Sequence, residues 1–335
     1  MSTPVPTPPP QGRRTVAVAV LVSALAALAL WAFAWPAART APRDLPLGVA
    51  GPARATAPLQ AQLKEKDGAF EIHRYADEAE ARDAIEDRTV YGAIVATPQG
   101  MRLLTATAAS PVVAQLLEQA VAGQAPEGSR VTTTDVVSAP AADPRGAALG
   151  ASVLPLAIAG VAAGAIVTLL GLRGIRAVTS LVLGAALVGA VAAALTHSWL
   201  GVLTGNWWAE AGVLSLSTLA VGATVAGCAA LLGPAGIGVG ALAMVLLGNP
   251  FSGVTSAPQL LPEPVGFLGQ LLPPGAGGTL LRSVSFFDGA RATAPLITLT
   301  VWGLLGLTAV LLGALRRPAP ARDEAPTARE TVPVP

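Results

Sequence analysis

Few side chains in this 335-residue chain could do acid–base, nucleophilic or metal chemistry. There is one cysteine, Cys228, and there are two histidines, His73 and His197. A lone cysteine forms neither an intrachain disulfide nor a CxxC or zinc-ribbon pair. His73 falls on the polar side of the alternating segment Phe70-Glu71-Ile72-His73-Arg74-Tyr75, where a surface histidine is expected rather than a base or ligand. Glu71, Asp83 and Asp87 could hold a cation, but no ligand spacing fixes their geometry. The mixed charges of 77–88 at helical spacing read as a solvated face. No G-x-S-x-G elbow is present, and neither lysine, Lys64 or Lys66, follows a glycine-rich phosphate loop. The chain is therefore expected not to be an enzyme and to carry no cofactor or metal. Any ATP-driven work falls to a separate subunit.

The remaining candidates sit in one loop, 249–294. It is nearly uncharged and is punctuated by Gly and Pro into turns and short amphipathic pieces. Asn249, Pro250, Arg282 and Asp288 are its candidate structural or gating residues, with Arg282 and Asp288 expected to pair. Leu260, Leu261, Phe267, Leu268, Leu271 and Leu272 could lie along a membrane surface. The loop reads as a cap over a helix bundle, compatible with a gate or the outer wall of an exit path.

The elements that must position this loop follow from charge and hydropathy. Hydrophobic residues make up 53% of the chain and charged residues 12%, and net charge is +1. That is too few charges for a soluble surface and too little basic surface for nucleic acid. Of the charged residues, 25 lie between Arg39 and Arg145. Outside that region, uncharged runs at 15–35, 148–172, 177–197, 211–232 and 295–315 are long enough to cross a bilayer as helices. The run 234–248 is short, a tilted span or a re-entrant segment, and is counted as a sixth span because the loop after it reads as extracytoplasmic. None of these runs contains Asp or Glu, which argues against a self-contained proton-driven pump. His197 is expected at an interface and Cys228 in helix packing. Gly236 and Gly240 have the spacing of a helix-packing pair, although the Ala/Gly richness at large is attributed to overall composition.

Arg13 and Arg14, Arg173 and Arg176, and Arg316 and Arg317 flank the spans on one side. The positive-inside rule makes that side cytoplasmic, with both termini there. Residues 1–14 and 316–335 read as disordered cytoplasmic ends. The first run is expected to be an uncleaved anchor. Trp31, Trp35, Trp199, Trp207 and Trp208 suit an interfacial belt at the outer ends. Residues 38–147 form one inserted extracytoplasmic α/β domain. Its expected elements are strands at 45–50, 70–75, 90–96, 101–108 and 130–137, and helices at 57–67, 77–88 and 110–121. Asp77 and Glu80 make a capping box.

One span, a large inserted domain and then five spans, together with Gly248-Asn249-Pro250-Phe251-Ser252-Gly253 and Leu272-Pro273-Pro274-Gly275-Ala276-Gly277-Gly278, resemble the ABC-2-type transporter permeases. Within these the chain is most similar to the phage-infection-protein-like membrane proteins of Gram-positive bacteria. The resemblance implies a plasma-membrane permease subunit, often dimeric, that exports a hydrophobic or amphipathic compound with a separate cytoplasmic ATPase. One departure stands out. The cytoplasmic turns at Arg173–Arg176 and Gly233-Pro234 are too short for the family's coupling helix. The alternative is a non-transporting receptor or scaffold for envelope or secretion machinery.

Overall fold

The computed structural model describes residues 11–65, 68–98, 100–123 and 131–316. Its first helix, α1 (Gln11–Ala38), already includes residues 11–14, which the sequence assigns to the disordered leader. The remaining leader and the tail 317–335 lie outside the described residues.

The next eight elements are β1 (Leu45–Ala50), α2 (Ala53–Glu65), β2 (Phe70–Tyr75), α3 (Glu78–Glu86), β3 (Gly92–Thr97), β4 (Gly100–Thr105), α4 (Pro111–Ala122) and β5 (Thr132–Asp135). Their order matches the sequence reading. They build a five-stranded mixed sheet, ordered β2-β1-β3-β4-β5, in which only β3 and β4 pair antiparallel. One face packs Leu45, Leu47, Ile94 and Leu103 against Leu63 of α2 and Val113 and Leu117 of α4. The other packs Ala93, Val95 and Leu104 against Ala81, Ala84 and Ile85 of α3.

Local signals set the helix starts. Asp77 accepts from the Glu80 amide at 3.0 Å, while the Glu80 carboxylate accepts from the Ala76 amide at 2.8 Å, one residue upstream of the expected return bond. Ser110 accepts from the Val113 amide at 3.2 Å, with Pro111 at the first helical position.

The bundle comprises α5 (Ala147–Leu169), α6 (Gly174–Ala193), which runs on as a π-helix over Ala194–Trp199, and α7 (Trp207–Leu232). Next come α8 (Ala235–Ala241), prolonged by a π-helix over Leu242–Gly248, and α9 (Val265–Gln270), α10 (Pro273–Phe286) and α11 (Thr293–Arg316). Five helices, α1, α5, α6 with its extension, α7 and α11, are long and apolar enough to cross a membrane. The chain is thus mostly helical and consistent with a multi-pass membrane protein. The sixth expected span, Ala235–Gly248, is a shorter apolar helix. At about 1.5 Å per residue it falls short of a hydrocarbon core of about 30 Å.

Helix α7 is the axis of the bundle. Of its most apolar stretch 67% is buried, against 28% or less for the other four long helices. Small residues make this possible, because without a hydrophobic drive in lipid, helices gain by close backbone approach. A methyl group on Gly164 of α5 would lie 2.5 Å from the Gly222 carbonyl oxygen of α7. On Gly306 of α11 it would lie 2.6 Å from the Ala223 carbonyl oxygen. The pair Gly236 and Gly240 likewise lies against Ala229 and Val225. Composition alone does not explain these glycines, as the sequence reading supposed; they stand where helices cross.

These crossings also give direction. Gly236, Gly240, Gly277 and Gly205 bring α8 and then α10 past α7 at Ala229, Val225, Ser217 and the loop before Trp207, in that order. So α8 and α10 climb the same flank of α7 in the same sense. Gly248 at the end of the first meets Pro274 at the start of the second. The chain leaves this line at Asn249 and rejoins it at Pro273.

Asp143 anchors the join between domain and bundle. It is 7% exposed and accepts from the amides of Ala147, Ala148 and Leu149 at 2.8, 2.9 and 3.2 Å. Asp143→Ala orphans the first turn of α5 and is expected to cost about 2 kcal/mol. Thermal unfolding in detergent measures this, with Asp143→Asn expected to recover part of the loss.

Candidate functional site

The segments before and after α10 hold the α/β domain from both sides of its sheet. Ala257 and Leu260 enter the core over α2 and α4, whereas Phe287 enters the core over α3. The amides of Ala41 and Arg43 donate to the carbonyls of Leu260 and Gln259 at 3.0 and 2.9 Å. Leu260 and Leu261 are therefore buried rather than laid on a membrane surface, while Phe267, Leu268 and Leu271 are exposed as expected. Gln270 fastens the loop on itself, donating to the Ser252 carbonyl and accepting from Thr279 Oγ1, both at 2.7 Å.

Two cavities flank this loop. The larger, of about 730 Å³, opens between the end of α1, the first turns of α5 and residues 249–256. Asn249 and Pro250 line it, as do Phe33, Ala151, Pro155 and Thr255; none of the lining residues is charged. The Asn249 carboxamide has no hydrogen-bond partner among the described residues. Pro155 has no N–H to return to the Ala151 carbonyl, so backbone polarity joins the side chains of Thr40, Ser252, Thr255 and Ser256 in an uncharged wall. Along most of its length α1 is exposed, with Leu30 69% exposed.

The smaller cavity, of about 220 Å³, lies between the domain and α10 and is lined by Arg88, Tyr91, Gln259, Gln270, Arg282 and Arg291, among others. Arg282 is 6% exposed and donates to the Val254 carbonyl at 2.9 Å. The expected partner, Asp288, is exposed and makes no ion pair with it. Asp288 instead occupies a turn with φ 47° at the end of α10, a conformation that short polar side chains tolerate best after glycine. The pairing reading is corrected accordingly: backbone geometry, not charge, accounts for Asp288.

Sequence reasoning missed Arg88. The residue ends α3 with a 6→1 and 5→2 bond pattern, Thr89 N–H to Ala84 O at 2.8 Å and Arg88 N–H to Ile85 O at 3.0 Å. Glycine usually takes this left-handed place, yet here it is an arginine at φ 57°. Its guanidinium donates to the Thr279 carbonyl at 3.1 Å and to Ser283 Oγ, and sits 5.2 Å from the Phe287 ring centroid. Burial pushes Arg88 below the usual arginine range and the Tyr91 phenol above its own. Tyr91 donates to Gln259 Oε1 at 2.9 Å.

A buried acid was also missed. Glu210 lies in the first turn of α7 and is 0% exposed. Its Oε2 is 2.8 Å from His197 Nδ1 on the π-helical end of α6, and its Oε1 accepts from the Gly205 amide at 2.8 Å. The expectation of no buried carboxylate in the helices fails because the uncharged run was counted from residue 211, one residue after the acid. His73 stays on its strand, 3.4 Å from Glu71. Among the described residues, no group of three or more His, Cys, Asp or Glu is placed to hold a metal ion. Comparison of the chain with known protein families, with curated proteins and with solved structures finds no match.

Proposed function

We propose that the chain is an integral plasma-membrane permease subunit of ABC-2 type, exporting a hydrophobic or amphipathic compound with a separate ATPase. The observation that carries this reading is the uncharged crevice beside α1, walled by Asn249 and Pro250 at the point where one helical line breaks. Membrane helices interrupted in this way are tolerated where the freed backbone lines a cavity, and such breaks mark substrate paths. On this reading α8 and α10 together make the sixth crossing, the α/β domain is extracytoplasmic, and both termini are cytoplasmic, on the arginine-rich side. The poor packing of α1 fits an opening toward lipid, from which an amphiphile would enter sideways.

The test is purification of the full chain in mild detergent, with mass spectrometry of what co-elutes. A stoichiometric nucleotide-binding protein is expected, with ATP hydrolysis stimulated by amphiphiles. Asn249→Trp, which fills the crevice, is expected to lower that stimulation at least tenfold without dissolving the complex. Co-elution of envelope or secretion proteins without an ATPase would replace the permease by the receptor or scaffold reading.

A further inference from the structure

The arginine-lined cavity is unexplained by an uncharged export path. Three guanidinium groups, Arg88, Arg282 and Arg291, face one space of about 220 Å³ whose lining residues include no Asp or Glu. None of the three makes an ion pair with a described residue. Asp143 lines a neighbouring smaller cavity with Arg282, but its oxygens are taken up by the amides of α5. Collecting like charges in a partly buried place is unfavourable unless an anion offsets them.

The chain holds them there at further cost. Arg88 and Arg291 both adopt the left-handed conformation, at φ 57° and 54°, which disfavours residues other than glycine. The protein acceptors account for only some of the donors. Each guanidinium has five N–H groups. Arg282 uses Val254, Arg88 uses Thr279 and Ser283, and Arg291 uses Thr89 at 3.2 Å. Gln259 and Tyr91 bring further polar atoms to the same wall.

We propose that this cavity binds a phosphate-type oxyanion, clamped between Arg88 and Arg282 from the domain and bundle sides and closed at its mouth by Arg291. Planar guanidinium forks match such anions in pairs of hydrogen bonds, and the anionic charge offsets the mutual repulsion of the cluster. The anion would also tie α3 to α10, so its occupancy reports on the docking of the domain. The phosphate could come from a soluble ion or ester, or from the headgroup of a membrane lipid, since α10 carries the chain out of the bundle at this point. The proposal is independent of the permease reading, and either can fail alone.

The test uses the full chain in nanodiscs of phosphatidylcholine and follows thermal unfolding as inorganic phosphate is added. A second arm replaces part of the lipid with phosphatidylglycerol and omits phosphate. A saturable rise in midpoint of roughly 2–6 °C is expected in at least one arm. A rise with phosphate assigns the soluble source. A rise with phosphatidylglycerol, and no further gain from phosphate, assigns the lipid. Arg291→Gln, at an exposed residue, is expected to fold normally and to weaken the effect about tenfold. Arg88→Gly relieves the left-handed backbone and is expected to abolish the effect. No rise in either arm overturns the proposal. So does a rise that both variants leave unchanged, which would mean an adventitious ion only.

Discussion

Glu210→Ala is expected to destabilise the chain by about 3–5 kcal/mol, the largest single-residue loss among its polar side chains. The carboxylate is fully buried and offers both oxygens, one to His197 and one to the Gly205 amide. Glu210 is the buried member and His197 is partly exposed, so the loss falls mainly on the groups that the carboxylate satisfies inside the fold. Here two groups would be left unsatisfied, at about 1–3 kcal/mol each. The helix N-terminus adds less, about 0.3–1 kcal/mol. There is no room for the loop to relax, because Gly205 packs on Val284 and Ser285 of α10. Glu210→Gln keeps an acceptor for Gly205 and the same shape, and should lose less than half as much. His197→Ala should fall between them. Unfolding of the purified variants by heat or denaturant decides the matter. Equal midpoints for Glu210→Ala and the wild type would show that this network does not hold α6, α7 and α10 together.

The second large effect is at Gly189, and its sign distinguishes packing from composition. Gly184 and Gly189 lie on the same helix, and alanine at either would gain up to about 1 kcal/mol of helix propensity. Around Gly184 nothing lies within 4 Å, so Gly184→Ala is expected to be neutral or stabilising. A methyl group on Gly189 would lie 2.5 Å from the Ser215 nitrogen and 2.6 Å from the Ala211 carbonyl oxygen, and closer still to Ser215 Oγ. Two of these are α7 backbone atoms, which cannot step aside as a flexible side chain would. Gly189→Ala should therefore cost about 2 kcal/mol or more, and Gly189→Leu should prevent assembly of α6 on α7. Size-exclusion profiles and unfolding midpoints of the three variants measure the contrast. If Gly189→Ala proves as mild as Gly184→Ala, close approach is not what retains glycine there.

The α/β domain was legible because its signals are local. Alternation at Phe70–Tyr75, the caps at Asp77 and Ser110, and the β-branched runs each specify one element within a few residues. The long helices were legible for the same reason, since a bilayer demands an uncharged run of fixed length. Legibility ended where distant segments meet. Arg88 reads in sequence as the end of a solvated charge run, and nothing local shows that it reaches Thr279 and Ser283, 191 and 195 residues away. For Arg282 a partner was sought six residues on, whereas its guanidinium donates to Val254 on the returning loop. Asn249 and Pro250 were named as structural or gating loop residues, yet the cavity they line is completed by α1 and α5, which only the fold brings there.

By itself the sequence determined what must be helix, what must be sheet, and that apolar runs separate one charged domain from the rest, because propensity, capping and hydropathy act over short range. Only the tertiary structure decided that α7 is the axis, that α8 and α10 are two pieces of one line, and that three arginines share one cavity. Those outcomes depend on backbone approach at glycines and on burial of charge, and both are set by contacts between residues far apart in the chain.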